Sequence, residues 1–106
     1  MNIMKMMKQA ADMQKKMETV QADLANRTVE FSSGGGMVAV TARGDFSIAS
    51  IRIDPKCVDP TDVDMLQDLV LAAVDGALRA ARELAAGEMQ KVTAGLNLPP
   101  GMKMPF

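Results

Sequence analysis

Ile3, Met6, Ala10, Met13, Met17, Val20 and Leu24 follow one another at alternating gaps of three and four residues. That is the a/d repeat of a heptad, a narrower apolar stripe than a helix turns toward a globular core. A helix carrying it spans about 35 Å at 1.5 Å per residue. The rest of a 106-residue chain is too short to cover such a seam end to end. The seam therefore calls for a partner, most simply a second copy of the chain. Val74 and Leu78, on a later and nearly all-apolar helical segment, are expected to join it.

The segment 1–28 reads as one projecting helix, free of glycine and proline and rich in Met, Lys, Gln and Ala. Residues 29–55 change to a period of two. Val29 and Phe31 alternate with polar neighbours, Ser32 to Gly36 is a turn, and Met37 to Arg43 is a second strand. Gly44-Asp45 predicts a two-residue hairpin, followed by a third strand from Phe46 to Asp54. Its alternation slips, so a bulge near Ala49-Ser50 is needed to bring Phe46, Ile48, Ile51 and Ile53 onto one face. Three short strands joined by tight turns predict an antiparallel meander. Asp59-Pro60-Thr61-Asp62 predicts the start of a second helix over 60–94, with Asp59 as cap and Pro60 in the first turn. The tail, 95–106, holds three of the five prolines and no helix pattern. The whole of 1–106 reads as a single domain.

The residue types exclude much. There is no histidine, which removes the commonest general base, and no nucleophile–base pair is visible, so the chain does not read as an enzyme. One cysteine, Cys57, makes neither a disulfide framework nor a zinc site. The triple glycine 34–36 precedes a strand, not the helix a phosphate-cradling loop requires. The aspartates from Asp54 to Asp68 match no calcium loop. The methionines fall at packing positions, so no cofactor or metal is expected. No apolar run approaches the twenty residues of a membrane span, and a cytoplasmic protein with no membrane partner is expected. With 12 basic against 13 acidic residues, any attraction to nucleic acid must come from a local patch.

The stretches MKQAADMQKKMETVQADLAN, SSGGGMVAVTARGD, IRIDP, DPTDVDMLQDLVLAAVDGALRAARE and KVTAGLNLPPG, in that order, resemble the bacterial YbaB/EbfC family of nucleoid-associated proteins. The resemblance implies a two-layer α+β fold, α-β-β-β-α with a three-stranded antiparallel sheet. It also implies a homodimer whose first helices project like tweezers, and binding of duplex DNA with weak sequence preference. Nucleoid organisation, gene regulation or DNA repair would be its setting. The resemblance carries no catalytic motif.

The residues assigned to DNA come from this sequence: Lys5, Lys8, Lys15 and Lys16 first, then Arg27, Arg79 and Arg82. Asp12 screens its lysine neighbours, while Asp75 and Glu83 stand within pairing distance of the two later arginines. The alternative is a protein-interaction adaptor that grips replication or recombination proteins through the Met-rich seam or the apolar tail.

Overall fold

The structure is a computed structural model that describes residues 2–94; the tail 95–106, on which an adaptor expectation fell, lies outside the described residues. Helix α1 spans Ile3–Leu24, strands β1, β2 and β3 span Thr28–Ser33, Val38–Arg43 and Ile48–Ile53, and helix α2 spans Val63–Ala94. The order is α-β-β-β-α, and the strands pair consecutively and antiparallel as β1-β2-β3.

Local chemistry sets the ends of these elements. The Asn2 side chain accepts from the Met4 amide at 3.1 Å and opens α1. Between β1 and β2 the chain turns through Gly34, Gly35 and Gly36 at φ of 60°, 66° and 96°, a run of left-handed residues open to glycine and costly to others. Ser33 donates its hydroxyl to the Leu69 carbonyl at 2.6 Å, tying this turn to α2.

Two boundaries differ from expectation. The β2–β3 connection is longer than a two-residue hairpin, because Asp45 accepts from both the amide and the hydroxyl of Ser47 and draws that residue into the turn. Phe46 then sits in the turn at φ 71°, and β3 begins at Ile48. The second difference concerns the start of α2. Asp59 and Pro60 form a separate turn closed by the Asp62 amide on the Asp59 carbonyl, with Pro60 at the position whose φ it presets. Asp62, not Asp59, caps the helix by accepting from the Met65 amide at 3.2 Å.

The register shows how the sheet is built. Antiparallel partners share a face, so three rows cross it: Phe31–Val40–Ile51, Ser33–Val38–Ile53 and Val29–Ala42–Ile48. The last row exists because the pairing shifts between Thr41 and Ala42, leaving Ala49 as the extra residue of a bulge. Without that shift Ile48 would point to the opposite face.

Helix α2 lies across this face over β1 and β2. Its contact stripe is Ala73, Ala77 and Ala81, spaced four apart and fully buried against Val38, Val40 and Ala42. Gly76 admits the ring of Phe31, and a Cβ built there would collide with it. The resulting core holds small side chains; its largest fully buried members are Val38 and Val40. Several bulky apolar groups stand outside. Ile48, Ile51 and Ile53 are 36%, 47% and 39% exposed, on the same face but beyond the edge of α2.

Two glycines of α2 should respond oppositely to alanine. Gly76→Ala is expected to cost about 1–3 kcal/mol through overpacking on Phe31. Gly87→Ala, with open space where the methyl would go, should gain up to about 1 kcal/mol from helix propensity. Chemical denaturation of both variants checks the signs.

Candidate nucleic-acid interface

The seam residues have divided surroundings. Leu24 is buried, Met13, Met17 and Val20 are half-buried, and Ala10, Met6 and Ile3 are exposed, Ile3 to 71%. The end of α1 nearest Leu24 therefore packs within the chain, where it meets α2, and the opposite end is bare. Val74 and Leu78 are half-buried on α2. Gly44 fastens the packed end, lying against Leu24 and donating its amide to the Arg27 carbonyl at 2.9 Å.

The four α1 lysines, all exposed, occupy an arc about 100° wide at 3.6 residues per turn, with Lys16 beside the seam and Lys5, Lys8 and Lys15 away from it. Lys5 and Lys8 are on the bare half. Lys15 and Lys16 line a cleft of about 590 Å³ between α1 and α2, opposite Glu88 and Lys91. Asp12 shares the cleft but makes no ion pair with either lysine among the described residues. Thr19, also in the cleft, donates its hydroxyl back to the Lys15 carbonyl at 3.0 Å.

Arg27 leaves the end of α1 and meets α2. Its Nη1 donates to Glu88 Oε1 at 2.5 Å, and Lys91 Nζ donates to the same oxygen at 3.2 Å. These two cations hold the Glu88 carboxyl below the ordinary glutamate value, Arg27 contributing more than Lys91. The Asp45 and Asp59 carboxyls are also lowered, chiefly by the hydroxyls of Ser47 and Thr61, but they belong to turns.

Arg79 and Arg82 are not brought into this cleft. Helical periodicity puts them on the side of α2 away from its alanine stripe. Arg79 pairs with Asp75 at 3.5 Å, while Arg82 has no carboxylate partner among the described residues. Lys91 is the cation that sequence reasoning missed. Its i,i+3 spacing from Glu88 is visible in the chain, but its approach to Lys15 and Lys16 depends on how α1 folds onto α2. Among the described residues no group of three His, Cys, Asp or Glu side chains converges to hold a metal, and no helix is long and apolar enough to cross a membrane.

The Glu88 pair makes stability depend on pH with a definite sign. A carboxyl with a lowered pKa in the folded state stabilises fully above its unfolded value, near 4.5, and loses that contribution as pH falls through the folded value. The difference in Tm between the parent and Glu88→Gln should be constant above this window and close below it. Thermal unfolding across a pH series measures the difference.

Comparison with known proteins identifies the family of the chain. The sequence profile described as the YbaB/EbfC DNA-binding family matches residues 1–96. A nucleoid-associated protein of Ruminiclostridium cellulolyticum is 54% identical over 101 residues, covering 95% of this chain and 88% of that one. Another, from Gluconacetobacter diazotrophicus, is 48% identical over 105 residues, covering 99% and 98%. The crystal structure of an uncharacterized Helicobacter pylori protein, HP0035, shares the fold at a TM-score of 0.73 and 19% identity, covering 91% of this chain and 97% of that chain. By the extent of the profile match and by identity to full-length relatives, the chain belongs to the YbaB/EbfC DNA-binding family.

Proposed function

We propose that the chain works as a homodimer that holds duplex DNA through the basic faces of its helices, with weak sequence preference, in the bacterial nucleoid. Organisation of the nucleoid, gene regulation or DNA repair is the setting. The observation that carries this reading is the convergence of Lys15 and Lys16 of α1 with Lys91 of α2 at one cleft, in a member of a DNA-binding family. The relatives named as nucleoid-associated support the location. Lysines act as point charges toward phosphate, and the one guanidinium described at the cleft, Arg27, is engaged by Glu88, so backbone contacts should outweigh base readout.

The unfinished core supports the dimer. Small residues fill the interior while three isoleucines of β3 stay bare, an arrangement that a second copy laid over β3 would complete. Ile51 stands at the centre of that face. Ile51→Asp should convert the dimer into a monomer in light scattering, because a carboxylate there would be buried without a partner.

DNA binding is tested by fluorescence anisotropy of a labelled duplex across a salt series. Four lysines from each of two chains would give a log–log slope no steeper than about −7. Reversing the charge of Lys8, Lys15 and Lys16 together should abolish retention. A second reading, an adaptor for replication or recombination proteins, is favoured by the bare apolar end of α1 at Ile3 and Met6. Absence of binding by the parent dimer at about 50 mM salt, where phosphate contacts are strongest, would select it.

A further inference from the structure

Glu88 is the carboxylate in the α1–α2 cleft that captures cations outright. One of its oxygens accepts from Arg27 at 2.5 Å and from Lys91 at 3.2 Å. Those two donors come from distant parts of the chain, the end of α1 and the last turns of α2. A single anionic oxygen held between a guanidinium and an ammonium is what a backbone phosphate would present to the same pair. Arg27 and Lys91 remain partly open to solvent, with side-chain exposures of 42% and 75%, while Glu88 is at 17%. The cations can thus be reached from outside, and the carboxylate is packed behind them. Asp12 lines the same cleft without pairing to its lysines, so capture is a property of Glu88 and not of every acidic group there.

We propose that Glu88 is an internal competitor of the DNA phosphate backbone, occupying Arg27 and Lys91 in the free protein and thereby weakening binding. The inference rests on the DNA-binding reading of this cleft. A phosphate that engages Arg27 or Lys91 must displace the carboxylate or share the cation with it. Either case reduces the counterions released by contact with DNA. The charge spacing along the chain therefore overstates the free cations: Arg27 counts as a phosphate ligand only when Glu88 lets it go.

The test compares the parent, Glu88→Gln, Asp12→Asn and Lys91→Gln on one labelled duplex across a salt series at neutral pH. Circular dichroism verifies that each is folded. Glu88→Gln is expected to bind at least about 10-fold more tightly at 50 mM salt and to steepen the log–log slope by about 2 to 4 for a dimer, as one or both cations per chain become available. Asp12→Asn removes one negative charge from the same cleft and should change both quantities less. Adding Lys91→Gln to Glu88→Gln should reverse part of the gain, whereas Lys91→Gln alone should cost less. Equal or weaker binding by Glu88→Gln, with a parent that binds DNA, overturns the competitor role and leaves the DNA reading standing. An equal gain from Asp12→Asn overturns it as well, since net charge alone would then account for the change. No binding by the parent or by Glu88→Gln at 50 mM salt overturns the DNA reading and this inference together.

Discussion

The close approach of α2 to the sheet governs the rest of the molecule. Ala73, Ala77 and Ala81 bring the helix backbone down onto Val38, Val40 and Ala42, and Gly76 makes room for the Phe31 ring. A helix about 10 Å across covers two of three strands at strand spacings near 4.8 Å. Among the described residues one helix covers this face, and β3 is left over. The bare isoleucines follow from that geometry rather than from any lack of apolar residues. A core made largely of alanine and valine gives modest burial on its own, and the second copy proposed above would add apolar area to it.

The same helix divides the charges. Its sheet-facing stripe is small and apolar, its outer side carries Arg79 and Arg82, and its last turns swing Glu88 and Lys91 toward α1. The cleft is mixed in sign, which agrees with an overall charge of −1. A protein with this balance attracts a polyanion only where lysines outnumber the carboxylates that can reach them. The arrangement of ion pairs then matters as much as the count of basic residues.

Much of the fold was legible in the sequence because its signals are local. The heptad spacing marks α1, the triple glycine marks a turn that needs positive φ, and the slipped alternation between Ile48 and Ile51 marks the bulge at Ala49. The start of α2 was harder. Asp59 and Asp62 are both competent caps, and the choice depends on Pro60 entering a turn closed by the Asp62 amide. The buried stripe of α2, Ala73, Ala77 and Ala81, is hard to pick out from spacing, because a helix apolar on several sides gives periodicity little to choose between. The candidate site was legible only in its α1 half. Lys15 and Lys16 stand out on the helix that carries the seam, but the meeting of Arg27 with Glu88 spans 61 positions and no spacing rule reaches across them.

The bulge has a local consequence. By adding Ala49, β3 keeps its isoleucines in line. The turn at its start carries Gly44, whose backbone braces Leu24 and whose amide holds the carbonyl of Arg27. Gly44 is placed by the β1–β2 ladder, which ends at Thr28 and Arg43, and not by the bulge. Deleting the codon of Ala49 would turn the bulge into a regular ladder with Ile48 still opposite Ala42, so the isoleucine row and the turn that braces α1 should both tolerate it.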